Sequence, residues 1–320
     1  MLIGKAIFNI CLLLISSCRL LEVTGVAMAK ERKPTIFKLL TNIARIKFNV
    51  LKKLFQITAA DHGGLKQAVL CMRIGAKHLA AAIADRHSKV IYDLIYYTGS
   101  NIDATQLDEV LTGHPEFKRD LDTIHVAYDF RAHLLMPVTD SEQENGSQLL
   151  KTLYTPDELP VFLKDVLPGR QLVNNYWVPA FLHDWIKNNY PGAQCQHQHT
   201  VDYKTANRLK SDGFYIDFRN DEFQLTASRD GTPVLLQVYE YSTPGDVLYY
   251  LLRACDQLGY TQQEVPVFVS GLIERQSGLF QALFQYFVHI SFRLPEWEFP
   301  PAQHPAHFFT SLNDLNLCGS

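Results

Sequence analysis

The chain has 320 residues, 47% of them hydrophobic and 20% charged, with a formal net charge of −3. That length supports a core without help from disulfides or metal, and the composition excludes disordered, collagen-like and low-complexity classes. Residues 30–53 hold eight basic side chains against the single acid Glu31, so the remainder is acidic, which argues against a general nucleic-acid binder.

Residues 2–16 (LIGKAIFNICLLLIS) are one Lys followed by an apolar run the length of a secretory signal core and too short to span a bilayer. Ile15-Ser16-Ser17-Cys18 has the form of a lipoprotein box and Ala27-Met28-Ala29 that of a signal peptidase site, whereas Met28-Ala29-Lys30-Glu31-Arg32-Lys33 reads as an ordinary cytosolic beginning. A start at Met28, a signal or anchor over 1–29, and a packed helix all stay open. From Thr35 to Ile57 the residues Ile36, Leu39, Leu40, Ile43, Ile46, Val50, Leu54 and Ile57 recur at helical spacing, with Lys38, Arg45, Lys52 and Lys53 on the other side. The pattern predicts a basic amphipathic helix over 35–57, lying on an anionic membrane surface or docked on the domain behind it. His62-Gly63-Gly64 ends the pattern and closes an N-terminal extension of residues 1–65. The six cysteines have no tight spacing, so a reducing, cytoplasmic compartment is the simpler expectation unless 1–29 directs export.

From residue 66 the pattern changes to short strands. Val69–Ile74, His78–Ala84 and Val90–Thr98 form a predicted meander, followed by a helix over 104–111 that Asp103 can cap and Gly113 can close, and by a strand over 123–128. The order then recurs: strands over 214–218, 223–228 and 233–241, a helix opened by Thr243-Pro244-Gly245-Asp246 and closed by Gly259, and a strand over 265–269. From the first strand to the fourth is 54 residues in one copy and 51 in the other. A helix over 278–288, an extended tail through Pro295, Pro300, Pro301 and Pro305, and a short element over 308–317 complete the chain. Two copies of strand-strand-strand-helix-strand predict a duplicated α/β protein with mixed sheets flanked by helices, and the pattern alone leaves two unrelated α+β domains as the alternative. Duplicated ribonuclease-H-like units of this order build the actin-like ATPase fold. The expected divisions are 66–175 and 176–299 for the two units and 300–320 for a tail packing on the body.

In that fold ATP and its magnesium lie between the units, held by glycine-containing turns after the first strand of each copy. Such a turn needs an Asp and a close backbone. The first turn here carries Gly75 and Lys77, but Arg73 stands where an acid is expected. The second keeps Asp217 but has Arg219 in place of glycine, with Asp221 and Glu222 adding repulsion toward phosphate. A third loop, which would face adenosine, reads Ser270-Gly271 with one glycine of two. Gly75, Lys77, Asp217, Arg219, Ser270 and Gly271 are therefore the degenerate nucleotide-cleft positions.

Three stretches of the chain, Tyr241-Ser242-Thr243-Pro244-Gly245-Asp246-Val247-Leu248-Tyr249-Tyr250, Val265-Pro266-Val267-Phe268-Val269-Ser270-Gly271 and Pro305-Ala306-His307-Phe308-Phe309-Thr310, resemble domain of unknown function 3822. The resemblance, to uncharacterised Bacteroidetes-type bacterial proteins, covers about 66–320. It implies the actin-like ATPase fold and no activity, substrate or catalytic residue; the extension 1–60 departs from it. Elsewhere Cys195, His197 and His199 would share a strand face and are zinc-binding types, but a closed site needs a fourth ligand. Nucleophile-elbow, zincin, P-loop and dinucleotide motifs are absent. The resulting expectation is a scaffold or protein-interaction module without resident cofactor, with an unidentified protein partner. The alternative is an enzyme or switch in which Arg73, Lys77 and Arg219 hold a nucleotide or another anionic phosphometabolite.

Overall fold

A computed structural model describes residues 51–58, 68–85, 89–119, 121, 123–141, 145–167, 169, 171–298 and 304–318. In chain order the elements begin with strands β1 (Lys52–Thr58), β2 (Ala68–Gly75), β3 (His78–Asp85) and β4 (Ile91–Thr98), helix α1 (Ala104–Gly113) and strands β5 (Thr123–Asp129) and β6 (His133–Pro137). Helix α2 (Asn145–Leu153), strands β7 (Pro160–Leu167) and β8 (Leu172–Pro179), helix α3 (Ala180–Asn189), strand β9 (Gln194–His197) and helix α4 (Gln198–Leu209) follow. The second copy holds β10 (Gly213–Phe218), β11 (Glu222–Arg229), β12 (Thr232–Glu240), α5 (Pro244–Leu258), β13 (Val267–Gly271), α6 (Gly278–Tyr286) and β14 (Ile290–Phe292), and α7 (Thr310–Cys318) ends the described chain.

Apart from the added edge strand β1, the two main sheets have the same topology. The first is ordered β1-β4-β3-β2-β5-β9 and the second β12-β11-β10-β13-β14. In each, the first three strands of the copy pair antiparallel, and the fourth runs parallel to the first. The duplication anticipated from order and spacing is thus a duplication of sheet topology. Helix ends follow local chemistry: Asp103 and Gln106 form a capping box on α1, Thr243 and Asp246 form one on α5 with Pro244 in the first turn, and Gly259 ends α5 at φ 68°.

β2 and β3 read as near-continuous apolar runs because both faces of the first sheet are covered. Leu70, Met72, Ile74, Leu79, Ala81 and Ile83 enter one core with Leu107 and Leu111 of α1 and Leu182 and Ile186 of α3. Val69, Cys71, Ala80, Ala82 and Ala84 enter the other with Phe308, Phe309, Leu312 and Leu315. The second sheet buries Phe214, Ile216, Phe223 and Leu225 against α5 and α6. Its opposite face, with Asp217, Gln224 and Thr226, turns toward α4.

Three expectations change. The helix proposed over 35–57 is a strand from Lys52 to Thr58, paired antiparallel with β4; its upstream part, and everything proposed for 1–50, lies outside the described residues. A register shift between Lys53 and Phe55 lets Leu54, Phe55 and Ile57 all lean on the first sheet's core, which imitates helical spacing. The change from first to second main sheet falls between His197 and Gly213, downstream of the 175/176 division, because β9 pairs with β5. A third sheet, β6-β8-β7, all antiparallel, was not anticipated; it is inserted in the first copy between β5 and α3.

Candidate functional site

Parallel pairing of β2 with β5 sets Gly75 opposite Asp129, and parallel pairing of β10 with β13 sets Asp217 opposite Ser270. The strand ends that would face a nucleotide therefore come together, and their charged side chains meet each other. Arg73, on β2, is buried; its Nε donates to Asp129 Oδ2 at 2.7 Å, and its Nη1 lies 2.8 Å from Asp217 Oδ2 and donates to the Ser311 hydroxyl. Arg219, also buried, reaches back from the second copy: Nη2 is 2.7 Å from Asp129 Oδ1 and 2.7 Å from Gln224 Oε1, and Nη1 is 2.9 Å from Glu222 Oε1. His78 Nε2 lies 2.9 Å from Asp129 Oδ2. Asp129 is thus shared by an arginine from each copy.

Burial alone would raise the Asp129 carboxyl, but Arg219 and Arg73 beside it hold it well below the usual carboxylate range. Burial opposes the Arg73 charge, and Asp129 and Asp217 overcome it, raising its pKa further. Burial pushes the His78 imidazole down, against the pull of Asp129 beside it. At the rim, Lys77 Nζ is 2.5 Å from Asp221 Oδ2, with both side chains more than 40% exposed, and Arg131 pairs with Glu240.

Gly75 and Gly271 both sit where the backbone and neighbouring side chains leave no room for a Cβ. A Cβ on Gly75 would lie 2.5 Å from the Asp129 carbonyl oxygen and 2.7 Å from His78 Cε1. Gly271 has φ +77°, and a Cβ there would lie 2.1 Å from the Phe218 carbonyl oxygen. Ser270 Oγ donates to Ile216 O at 3.2 Å and to Asp217 Oδ1 at 3.1 Å. These residues close the strand ends on one another. Beside Asp217, a cavity of about 20 Å³ lined by Asp202, Thr205, Gln224, Thr226 and Arg293 has room for about one water.

Helix α4 carries the polar chain onward. Gln224 Nε2 donates to Asp202, which also accepts from Gln198 Nε2 at 3.0 Å, so Asp129, Arg219, Gln224 and Asp202 form a continuous path between the copies. Burial pushes the Asp202 carboxyl up to about 8. At the start of α4, Asp165 from the inserted sheet accepts the His197 N–H at 2.7 Å and the Thr200 hydroxyl at 2.7 Å, acting as a cap supplied from a distant strand.

Cys195, His197 and His199 do not share one strand face. The strand ends at His197, which becomes the N-cap of α4, with Nδ1 accepting the His199 N–H and Nε2 2.8 Å from Phe130 O. His199 packs on His133, with ring centroids 4.0 Å apart, while Cys195 joins the core beside Tyr128. Burial holds His197 and His199 down to about 3, hence neutral. Among the described residues no group of three or more His, Cys, Asp or Glu is arranged to hold a metal ion.

Reading the chain without its structure misses Asp129, His78, Gln224, Asp202 and Ser311. One signal was available: an Arg inside the apolar run VLCMRI must find a carboxylate if buried, and Asp129 ends the neighbouring strand.

The family model described as Protein of unknown function (DUF3822) matches residues 60–290, and the chain belongs to that family. A Bacteroides thetaiotaomicron protein of unknown function with an actin-like ATPase fold is similar at 16% identity and TM-score 0.65, over 81% of this chain and 99% of that one. The cytoplasmic domain of EpsL, an inner membrane component of the type II secretion system of Vibrio cholerae, is similar at 13% identity and TM-score 0.46, over 79% and 95% of the two chains. A chain of the PilM-PilN type IV pilus biogenesis complex is similar at 13% identity and TM-score 0.48, over 78% and 98%. No curated protein matches. The fold is that of the actin-like ATPases. No helix among the described residues is long and apolar enough to cross a membrane.

Proposed function

We propose that this DUF3822 chain is a non-catalytic scaffold in which the protein's own arginines replace the nucleotide between the two lobes, and that it works by binding another protein. The observation that carries this reading is the buried set Arg73, Asp129, Arg219 and Asp217. In an ATP-using relative of this architecture a bound nucleotide joins the lobes. Here two guanidinium groups and two carboxylates do so, with Ser311 and Gln224 accepting further hydrogen bonds from the arginines. Arg73 and Arg219 therefore have their charges compensated from within the chain, which removes the electrostatic reason for a triphosphate to enter. Cys71, Cys195, Cys255 and Cys318 are free thiols, which suits a cytoplasmic setting.

The test is a binding and turnover assay on the purified full chain with Mg-ATP. The reading expects neither hydrolysis nor heat of binding. Hydrolysis that Asp217→Ala abolishes would end it. A second reading, an anion-responsive switch, draws on Arg73 Nη2 and Arg219 Nε, buried N–H groups without a partner among the described residues. A thermal-shift panel of nucleotides and phosphorylated metabolites decides for it if one of them stabilises the wild type and not Arg219→Ala.

A further inference from the structure

We propose that the cleft beside β14 on the second lobe binds a small monocarboxylate with a ring-bearing apolar body. Three segments meet there: the loop from β13 to α6, strand β14 with the residues just after it, and the tail that leads into α7. They border an open cleft of about 690 Å³. That volume falls inside the range of about 300–1,000 Å³ usual for small-molecule sites. None of the charges buried between the lobes lines it, so its occupant is independent of the scaffold reading.

Arg275 is the group that would take the carboxylate. Its guanidinium lies over two rings, 5.5 Å from the Phe280 centroid and 5.0 Å from that of Phe292, and has no hydrogen-bond or ion-pair partner among the described residues. The rings attract the cation through their faces and hold it in place, while the N–H groups at its edge stay unused. A planar fork held in this way can meet a carboxylate with two parallel hydrogen bonds and little further ordering of the side chain. Glu274 lines the same cleft, and Arg275 is the one cation among the described lining residues. That balance admits a single negative charge, whereas the several charges of a nucleotide would meet Glu274 with no second cation beside them.

His307 adds a polar contact of the opposite kind. The side chain is buried, its ring centroid is 4.1 Å from that of Phe292, and its Nε2 lies 2.6 Å from the Ile273 carbonyl oxygen. A carbonyl only accepts, so Nε2 carries a proton and donates it. Burial pushes the imidazole pKa down, which favours the neutral ring and leaves Nδ1, without a partner among the described residues, to accept an N–H or O–H. Phe292, Leu294 and Pro305 line the rest, and Leu294 is 65% exposed, so a ring entering the cleft meets apolar surface. A carboxylate at one end, a flat apolar body and a donor at its edge describe the ligand.

The experiment screens ring-bearing monocarboxylates, indole-3-acetate and 4-hydroxyphenylacetate among them, against the full chain by ligand-observed NMR, each beside its primary amide. Isothermal titration then measures the binders, and hydrogen exchange maps them. At least one acid binds with Kd below about 1 mM, its amide binds about tenfold more weakly or worse, and exchange slows across 272–277 and 290–294. Arg275→Gln, at an exposed position and with Tm unchanged, lowers the affinity about tenfold or more, whereas Arg253→Gln, an exposed cation on α5, does not. An amide that binds as well as its acid, indifference to Arg275→Gln, or protection confined to other segments overturns the site. A screen that yields no binder overturns it too. AMP that displaces the acids overturns the monocarboxylate in favour of a nucleotide.

Discussion

Replacing Asp129 by Asn keeps the shape of the side chain and removes the charge that two buried arginines share. Arg73 Nε and Arg219 Nη2 both approach that carboxylate at 2.7 Å, and the side chains of Asp129, Arg73 and Arg219 are each 4% exposed. Water cannot screen the loss, and Arg73 retains only Asp217 while Arg219 retains Glu222. Removing one partner from a buried ion pair costs about 3–5 kcal/mol, because an uncompensated charge is left behind. For a folded unit of this size, at roughly 2–4 °C per kcal/mol, Tm falls by about 6–20 °C. The companion variant Asp129→Leu with Arg219→Met removes charge of both signs together and recovers at least half of the loss, since apolar replacement of a whole pair is close to neutral. Urea unfolding of wild type, Asp129→Leu, Arg219→Met and the double variant completes the cycle. A cost below about 1 kcal/mol for Asp129→Asn, the value of an exposed pair, would refute the claim that this carboxylate joins the lobes.

The rim pair supplies the contrast: Lys77→Ala costs at most about 1 kcal/mol in the same assay, because Lys77 and Asp221 are both well exposed. Gly271→Ala loses about 3 kcal/mol or more by urea unfolding, since its φ of +77° and the Phe218 carbonyl both exclude a Cβ. Asp202 contributes a pH dependence that is separable from the histidines above about pH 6.5. Its folded pKa, about 8, lies above the unfolded value, so the folded state binds the proton more tightly and this contribution to stability falls as pH rises from about 4 to about 8. Between about pH 6.5 and 8, above the ordinary histidine pKa, unfolding free energies should decline with pH in the wild type and flatten in Asp202→Asn; below that window the buried His197 and His199, held down to about 3, add stability as pH rises. Asp129 acts with the opposite sign and in acid: its depressed pKa gives stability that is present above about pH 4 and lost as pH falls toward the folded value.

The duplicated sheet order could be read from the residues because its signals are local. Asp103 and Thr243 mark helix starts, Gly259 marks an end, and turns such as Arg229-Asp230-Gly231 separate apolar runs of strand length. β1 could not, because its register shift gives Leu54, Phe55 and Ile57 a spacing that a helix would also give. The inserted sheet was hidden for another reason. β7 reads PVFLKDVL, and Asp165 within it looks like a solvated acid until α4 arrives to be capped by it. The charged cleft depends on contacts across the chain: Arg73 meets Asp129 over a separation of 56 residues and Ser311 over 238. An arginine in an apolar strand announces that a carboxylate must be near, and only the fold says which.

The central claim is that side chains of this protein stand where a relative of the same fold would hold ATP. Isothermal titration of the full chain with Mg-ATP at up to millimolar concentration tests it most directly. The account predicts no saturable heat, and none gained when ADP or GTP replaces ATP. A stoichiometric isotherm with Kd below about 1 mM, lost in Arg219→Ala, would contradict it, because the arginine would then be holding a nucleotide rather than replacing one.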